Sequence, residues 1–367
     1  MNTQTMEIKK TNWLTQHNRP VLIAGPCSAE TEEQVLQTAT RLFRTGKVDI
    51  IRAGIWKPRT RPNSFEGVGT RGLPWMQKVK DLTGLPVTIE VAKASHVELA
   101  LEFGMDILWV GARTTVNPFA VQEIADVLRG VDIPVLVKNP INPDLALWMG
   151  GIERFEKVGV KRLGAIHRGF SNFGEQIYRN RPQWQLAIEL KRRLPDLPMI
   201  CDPSHICGRR DLLQKVSQKA MDLNFDGLML ESHINPDQAW SDASQQITPE
   251  VYGTLISDLV IRQEDPELFT DHANLYELRK QINFIDDELI NILASRMKIA
   301  REIGKFKKEN NITILQNKRW NEILDKYVNR GMEHGLSEKF IKNFITTVHD
   351  ESISQQEQIM MDEKDSE

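Results

Sequence analysis

Residues 20–28 read PVLIAGPCS, a nearly unbroken apolar run that contains a reactive cysteine. Seven comparable runs follow: DIIRAGI (49–55), PVTIEVA (86–92), ILWVGART (107–114), PVLVKN (134–139), RLGAIHRG (162–169), PMICDPSH (198–205) and GLMLESH (227–233). Short runs that are apolar at successive positions are typical of parallel strands buried on both faces. Amphipathic stretches between them, for example 31–45, 118–129 and 182–193, indicate helices. The eight alternating units predict an α/β fold with a (β/α)8 barrel over residues 1–262, and a doubly wound open sheet is the alternative.

The chain changes character after residue 262. The stretch RQEDPELFTDHA (262–273) is polar and contains a proline, which indicates a linker over 263–273. Beyond it no strand-like run occurs, and apolar residues recur at helical spacing. Helices are predicted at 274–309, 315–331 and 337–358, followed by a disordered acidic tail at 359–367. The first helix would be roughly 50 Å long, which favours a partner helix from a second copy of the chain.

Composition excludes several classes of protein. The 367 residues carry a net charge of −3, which argues against nucleic-acid binding through general basicity. No apolar run approaches the roughly 18 residues that a membrane span needs, and the N-terminal residues do not resemble a secretory signal. The cysteines are few and odd in number: Cys27, Cys201 and Cys207. They indicate a reducing compartment, so we expect a cytoplasmic protein.

A charged or reactive residue lies at the end of every predicted strand. These residues are Cys27, Arg52, Glu90, Arg113, Lys138, Arg168, His205 and Glu231. In a (β/α)8 barrel the carboxyl ends of all strands meet at one mouth, where the active site lies. A single polar residue at a strand end is most simply a solvated side chain, but eight of them predict an active site.

Part of this set has the chemistry of a transition-metal site. Cys27, His205, Glu231 and, in the following loop, Asp242 offer one sulfur, one nitrogen and two carboxylate groups. Such a mixture suits Mn, Fe, Co or Zn better than Mg or Ca. No short spacing links the four residues, so a buried thiol and a hydrogen-bonded histidine are the alternative interpretation.

The remaining residues at this mouth are mostly cationic. The predicted cations are Arg52, Lys57, Arg59, Arg113, Lys138 and Arg168. Converging cations repel one another unless a polyanion lies between them, and guanidinium groups match phosphate and carboxylate oxygens. The pattern therefore favours substrates with phosphate and carboxylate groups, whereas ordinary surface ion pairs are the alternative for any one arginine.

Several motifs carry a family resemblance. They are GPCS (25–28), R-x4-K-P-R-T (52–60), GART (111–114), VKN (137–139), DPSH with a following GRR (202–210) and LESH to SD (230–242). In this order they resemble the 3-deoxy-D-arabino-heptulosonate 7-phosphate (DAHP) synthases, in particular the short type I-beta branch, over roughly residues 20–262. The resemblance implies a metal-dependent condensation of phosphoenolpyruvate with erythrose 4-phosphate.

The same resemblance implies residue roles. The metal ligands would be Cys27, His205, Glu231 and Asp242. Phosphoenolpyruvate would be held by Arg52, Lys57, Arg113, Lys138 and Arg168, with Lys57 also catalytic. Erythrose 4-phosphate would contact Pro58, Arg59 and Thr60. The related 3-deoxy-D-manno-octulosonate 8-phosphate synthases carry an asparagine-containing run in place of KPRT, so they are the less favoured alternative.

The first helix of the C-terminal region presents cations in two directions. Arg296 and Lys307 are eleven residues apart and share a face, whereas Arg279 lies about 100° away from it. On the last helix, Ser352 and Gln356 share a face at i, i+4. Ordinary solvated charges are the alternative interpretation.

The run LRKQINFIDDELINILASRMKIAREIGKFKK (278–308) resembles the long first helix of all-helical chorismate mutases, and the similarity continues without gaps to Gln356. It implies rearrangement of chorismate to prephenate in an intertwined homodimer. Arg279 would reach the partner's site, while Arg296, Lys307, Arg319, Ser352 and Gln356 line the chain's own site. Arg296, Lys307 and Gln356 would be the catalytic members.

Two positions depart from that family pattern. Gln316 and Trp320 occupy positions where better-known relatives have acidic residues that bond the substrate hydroxyl. A regulatory-only helical domain is therefore an alternative, as is a non-enzymatic barrel with a helical dimerisation module. Because the two implied activities belong to one pathway and only about 19 residues precede the first strand, we expect prephenate or chorismate to inhibit the barrel through the helical domain.

Overall fold

The computed structural model describes residues 13–14, 20–58, 65–172, 174, 177–262 and 272–361, without the side chains of 272–274, 317 and 318. The chain divides into two compact units, Met1–Glu264 and Asp265–Glu367. This boundary falls within the linker predicted over 263–273, of which residues 263–271 lie outside the described part. No helix in the described ranges is long and apolar enough to cross a membrane.

The first unit is a closed parallel barrel, as predicted. Its strands are β1 (Val21–Gly25), β2 (Ile50–Ala53), β3 (Val87–Val91), β4 (Ile107–Val110), β5 (Val135–Lys138), β6 (Leu163–His167), β7 (Met199–Cys201) and β8 (Gly227–Glu231). The strands pair in chain order, and β8 returns to β1 with Val21 opposite Gly227 and Gly25 opposite Glu231. This closure excludes the open-sheet alternative.

Helices surround this barrel. In chain order they are α1 (Glu32–Arg44), α2 (Gly72–Thr83), α3 (Ala94–Glu102), α4 (Ala112–Thr115), α5 (Pro118–Val127), α6 (Leu145–Lys157), α7 (Trp184–Arg193), α8 (Pro203–Cys207), α9 (Leu213–Asp222) and α10 (Pro249–Ser257). The helices expected at 31–45, 118–129 and 182–193 are confirmed as α1, α5 and α7. Side-chain caps fix where several helices begin; Thr31, for example, accepts a hydrogen bond from the Gln34 amide at the start of α1.

Alternation along the strands divides the apolar residues between two cores. Val21 and Ile23 point into the barrel, where they join a cluster with Trp109 and Met229. Leu22 and Ala24 point outward and pack beneath the helices. Both strand faces are therefore buried, which accounts for the continuous apolar runs in the sequence.

Glycine allows the strands to approach closely near the mouth. At Gly25, the last residue of β1, φ is +150° and an added Cβ would lie 2.0 Å from the carbonyl oxygen of Arg52. Any side chain here would push β1 away from the end of β2. The small residue thus brings the loop after β1, with Cys27, close to Arg52.

The second unit consists of α11 (His272–Glu309), α12 (Asn317–Glu333) and α13 (Glu338–Met361). The three predicted helices are confirmed; the end of α11 is as predicted, and the other ends differ by one to three residues. Both α11 and α12 pack against α13. Because α13 continues to Met361, the first three residues of the predicted tail at 359–367 are helical, and 362–367 lie outside the described residues.

Candidate active sites

Three of the predicted metal ligands converge at the mouth of the barrel. Cys27 follows β1, Glu231 ends β8, and Asp242 lies in the loop after β8. One donor atom from each lies within 4.8 Å of the others, and Cys27 Sγ is 3.3 Å from Asp242 Oδ2. His205 is not part of this compact group, but its Nε2 lies 3.7 Å from Glu231 Oε1.

Asp202 orients the histidine. It caps α8, where its Oδ1 accepts a hydrogen bond from the His205 amide at 3.1 Å. Its Oδ2 lies 2.8 Å from His205 Nδ1 and 2.8 Å from Lys138 Nζ. The ring is thereby held with Nε2 towards Glu231, an arrangement typical of histidines that ligate metals. Burial alone would raise the pKa of Asp202, but His205 and Lys138 hold it well below its usual range.

A second network joins two of the carboxylates. Arg179 Nη1 lies 3.0 Å from Asp242 Oδ1 and donates to Gln245 Oε1 at 2.7 Å. Gln245 Nε2 in turn donates to Glu231 Oε2 at 2.6 Å. The site residues predicted from the sequence did not include Arg179, Gln245 or Asp202. The DPSH motif could have revealed Asp202, whereas Arg179 lies in a loop with no distinguishing pattern.

Electrostatics at this group depend on burial. Burial raises the pKa of the Cys27 thiol to about 12, with Glu231 adding to the effect and Lys57 opposing it. For Glu231, burial is outweighed by His205 and Arg52, so its pKa lies below the usual value. Asp242 behaves in the same way because Arg179 is close. The group thus combines ionised carboxylates with a protonated thiol.

The donor set fits a divalent transition metal. It offers a thiol, an oriented imidazole nitrogen and two carboxylates, which together match the preferences of a borderline ion. Glu231 Oε1 is buried and makes no hydrogen bond within the described part of the chain. Arg52 Nη2 lies 3.2 Å from this oxygen as an ion-pair partner, and a carboxylate oxygen has a second lone pair with which it could bind a metal ion.

Predicted cations surround this group. Arg52 is only 1% exposed. Its Nη2 lies 3.2 Å from Glu231 Oε1, and its Cζ lies 4.9 Å from the centroid of the Trp109 ring. Its Nε and Nη1 are buried and have no hydrogen-bond partner among the described residues. Lys57 donates to Cys27 Sγ at 2.9 Å, and Lys138 lies 5.7 Å from the Trp109 centroid.

The other predicted substrate residues in the described part of the chain differ in exposure. Arg168 is buried, and its pKa falls to about 10 because of burial and the nearby positive charges of Arg179 and Arg113. The side chain of Arg113 is exposed, and Pro58 is half-buried directly after Lys57. Arg59 and Thr60 lie outside the described residues.

Glu90, to which the sequence assigned no role, supports Trp109. The Trp109 Nε1 donates to Glu90 Oε2 at 3.1 Å. An added Cβ at Gly111 would lie 2.1 Å from Glu90 Oε1, so the glycine makes room for the carboxylate. Glu90 thereby fixes the ring against which both Arg52 and Lys138 lie.

The helical unit brings part of its predicted site together. Arg296 on α11 hydrogen-bonds Ser352 and the carbonyl oxygen of Val348 on α13. Ser352 and Gln356 are both buried, and Gln356 Oε1 makes no hydrogen bond with any described residue. At Gly304 an added Cβ would lie 3.2 Å from Gln356 Cα, so the glycine lets the two helices approach here.

The remaining predicted residues of this site are placed differently. Lys307 donates to the Ile314 carbonyl oxygen, and burial lowers its pKa. Arg319 is exposed and lies 3.5 Å from Glu322. Arg279 is exposed, and its seventeen-residue separation from Arg296 corresponds to about 25 Å along the helix. Within a single chain, Arg279 therefore lies far from Arg296.

An aromatic pair joins α12 and α13. Trp320 stacks on His349 with ring centroids 4.0 Å apart and planes 12° from parallel. Gln316, which precedes α12, is exposed. Neither Gln316 nor Trp320 therefore supplies a carboxylate.

Comparisons with known proteins agree with this architecture. Residues 5–270 match the family model of the DAHP synthetase I family, and residues 278–357 match that of chorismate mutase type II. A phospho-2-dehydro-3-deoxyheptonate aldolase from Thermotoga maritima is 31% identical over 238 residues, which cover 65% of this chain and 68% of the relative. A 2-dehydro-3-deoxyphosphooctonate aldolase from Geobacter sulfurreducens is 28% identical over 262 residues, covering 66% and 92%.

Solved structures are similar over the same share of the chain. The crystal structure of the DAHP synthase from Thermotoga maritima gives a TM-score of 0.59 at 31% identity, covering 65% of this chain and 67% of that one. A truncated form of the 3-deoxy-D-arabino-heptulosonate 7-phosphate synthase from the same organism gives 0.57 at 28% identity, covering 65% and 84%. The chain belongs to the DAHP synthetase I family and carries a C-terminal domain of the type II chorismate mutases.

Proposed function

We propose that the barrel condenses phosphoenolpyruvate with erythrose 4-phosphate to form DAHP and inorganic phosphate, as one half of a bifunctional enzyme of the shikimate pathway. The observation that carries this proposal is the position of Arg52. Its buried, incompletely hydrogen-bonded guanidinium lies 3.2 Å from Glu231, which belongs to the compact donor group. A buried guanidinium beside the proposed metal ligands is suited to hold an anionic substrate next to a metal ion.

The cations bind and orient the substrates. Arg52, Lys57, Arg113, Lys138 and Arg168 hold the phosphate and carboxylate of phosphoenolpyruvate, and Pro58, Arg59 and Thr60 contact erythrose 4-phosphate. Positioning two reactants in this way supplies much of the rate enhancement of a bimolecular reaction. Lys57, whose Nζ lies 2.9 Å from Cys27 Sγ, places positive charge beside the proposed metal ligands, where charge develops.

Cys27, His205, Glu231 and Asp242 would hold one divalent ion of Mn, Fe, Co or Zn, which supplies Lewis-acid polarisation of the aldehyde carbonyl. Carbon 3 of phosphoenolpyruvate attacks that carbonyl carbon and forms the new C–C bond. Water adds at carbon 2, and phosphate leaves with cleavage of its C–O bond. The residues of the site form no covalent bond to either substrate, so their work is orientation and charge stabilisation.

The choice of sugar distinguishes this proposal from the related octulosonate chemistry. Relatives of both names match the chain, and the heptonate relative has the higher identity, 31% against 28%. The KPRT run favours the four-carbon sugar phosphate.

The test supplies phosphoenolpyruvate with either erythrose 4-phosphate or arabinose 5-phosphate and measures phosphate release. We expect turnover with erythrose 4-phosphate, its loss on chelation and its return with Mn²⁺. Preference for arabinose 5-phosphate would contradict the sugar assignment. Unchanged activity after chelation, together with a fully active Cys27→Ala variant, would contradict the metal assignment.

The helical domain rearranges chorismate to prephenate in our proposal. This intramolecular reaction needs two carboxylates held in place and negative charge stabilised on the breaking ether oxygen. Arg296, Arg319 and Ser352 bind the substrate. Lys307 and Gln356 donate hydrogen bonds to the ether oxygen and stabilise its negative charge. Arg279 would come from a second copy of the chain.

The exposed apolar residues of α11 support our proposal of a dimer through this helix. Leu278, Ile282, Ile285, Leu289, Ile292, Ile299 and Ile303 are between 41% and 62% exposed. Their spacings of three, four and, once, seven residues form one stripe along the helix, as in paired helices. An exposed apolar surface of this extent indicates an interface, and a second copy of α11 would cover it.

We further propose that prephenate or chorismate, bound to the helical domain, inhibits the barrel, because both activities belong to one pathway. A helical domain that only regulates the barrel is the alternative. The described cysteines, Cys27, Cys201 and Cys207, are all buried and unpaired, which supports a reducing cytoplasm as the location.

A further inference from the structure

His349 has a ring nitrogen that lacks a hydrogen-bond partner. Its Nε2 is buried and makes no hydrogen bond within the described part of the chain. The stacked Trp320 ring, with centroids 4.0 Å apart, holds the imidazole in place. Buried polar atoms without partners are rare in proteins and often mark the position of a ligand.

The position of His349 on α13 connects it to the proposed mutase site. His349, Ser352 and Gln356 are spaced i, i+3 and i+7, so they share one face of the helix. Gln356 Oε1 is a second buried atom without a hydrogen bond on this face. Arg296, which bonds Ser352 and the Val348 carbonyl, reaches the same face from α11. Two unsatisfied polar atoms therefore flank the contact between Arg296 and Ser352.

The surroundings of His349 keep its imidazole uncharged at neutral pH. Burial lowers the pKa of His349, and the positive charges of Arg296 and Lys307 lower it further, against the opposing effect of Asp350. The stacked Trp320 contributes no charge. A neutral imidazole offers one donor and one acceptor, so it suits a neutral polar group of a ligand.

Chorismate has one neutral polar group that the arginine and lysine side chains of the site are not expected to bind. Its two carboxylates call for arginine and lysine side chains, and its ether oxygen gains negative charge during the rearrangement. The ring hydroxyl remains, and neither Gln316, which is exposed, nor Trp320 offers a carboxylate to it. We propose that His349 binds the ring hydroxyl of chorismate through Nε2, an inference that rests on the proposed mutase function.

The test compares chorismate with its analogue lacking the ring hydroxyl, using the full-length chain. His349→Phe keeps an aromatic ring against Trp320 but removes the nitrogen, and His349→Gln places an amide nitrogen near the position of Nε2. We expect His349→Phe to lower kcat/KM for chorismate by about tenfold or more and for the analogue by less than about twofold. We expect His349→Gln to retain activity within about threefold of the wild type.

The wild-type chain provides a test that does not depend on a variant folding. It should use chorismate better than the analogue by about the factor lost in His349→Phe, and the unchanged synthase activity of each variant serves as the control. Equal losses for both substrates, no loss, or no wild-type preference would overturn the role of His349 and leave the mutase function standing. Failure of the wild type to bind or convert chorismate would overturn both.

Discussion

Arg179 and Gln245 form a chain of polar contacts between two proposed metal ligands. Arg179 reaches Asp242 at 3.0 Å, and Gln245 reaches Glu231 at 2.6 Å. Asp242 has a φ of 50°, an uncommon conformation for a residue other than glycine, and the ion pair with Arg179 helps to hold its side chain. Replacing a residue that orients a metal ligand commonly lowers metal affinity by about 10- to 100-fold.

The first prediction therefore concerns Arg179→Met. We expect its affinity for Mn²⁺, measured by titration calorimetry on the full-length chain, to fall by about 10- to 100-fold. Arg209→Met is the matched control, because Arg209 is exposed and pairs with Asp211 at 2.6 Å. Equal affinities in the Arg179 variant and the wild type would show that the carboxylates do not depend on this chain of contacts.

His167 is enclosed by aromatic rings and couples barrel stability to pH. It is fully buried, and the centroids of Trp184, Phe170, Phe225 and Trp148 lie 5.2 to 6.3 Å from its own. Burial lowers its pKa to about 3, with Arg168 adding to the effect. Below the ordinary histidine pKa of about 6.5, the unfolded chain binds a proton here that the folded chain does not. The contribution to stability is therefore complete above that pH and is lost as the pH falls.

The second prediction follows from this sign. The wild-type barrel should lose about 1.4 kcal/mol of unfolding free energy per pH unit below about pH 6 from this group alone. His167→Leu should flatten that dependence relative to the wild type in urea unfolding at pH 7.5 and pH 5. Identical slopes for the two proteins would contradict the buried neutral state.

At the scale of elements, the sequence predicted most of the fold because burial on both faces leaves a clear pattern. Each of the eight apolar runs contains one strand, and the amphipathic stretches contain the helices. The short α4 and α8 have only four and five residues, too few for a periodic pattern. For α8, the cap at Asp202 and the following Pro203 set the start, and a tertiary contact with Lys138 supports it.

The site was predictable to a similar degree and for a related reason. Parallel strands place all their carboxyl ends at one mouth, so Cys27, Arg52 and Glu231 could be grouped from the sequence. The pairing of Arg179 with Asp242 depends on two loops whose conformations no spacing encodes. The stacking of Trp320 on His349 likewise depends on how α12 and α13 pack.

The third prediction concerns the apolar stripe of α11. Ile285→Asp places a charge in the proposed dimer interface, where Ile285 is 62% exposed in the single chain. We expect sedimentation equilibrium to show monomers at concentrations where the wild type is a dimer, together with loss of mutase activity because Arg279 no longer reaches a second site. Lys280→Asp, on the opposite face of α11, should leave the dimer intact. A dimeric Ile285→Asp variant would locate the interface elsewhere.

At the scale of the whole molecule, the fusion predicts communication between the two activities. Saturating prephenate should lower DAHP synthase activity of the full-length chain, measured by phosphate release, because binding to the helical domain favours a less active state of the barrel. Arg296→Ala should abolish this inhibition without changing the uninhibited rate, whereas the exposed control Lys298→Ala should remain inhibited. DAHP synthase activity that does not change with saturating prephenate would contradict the regulatory proposal.

The central claim is that one chain carries two separate catalysts, and reciprocal variants assayed for both reactions test it most directly. Cys27→Ala should lose DAHP synthase activity by about 100-fold or more and keep the conversion of chorismate to prephenate. Arg296→Ala should lose the conversion of chorismate by about 100-fold or more and keep DAHP synthesis. This crossed pattern is the predicted result. A full-length chain that performs neither reaction, or variants that lose neither activity, would contradict the account.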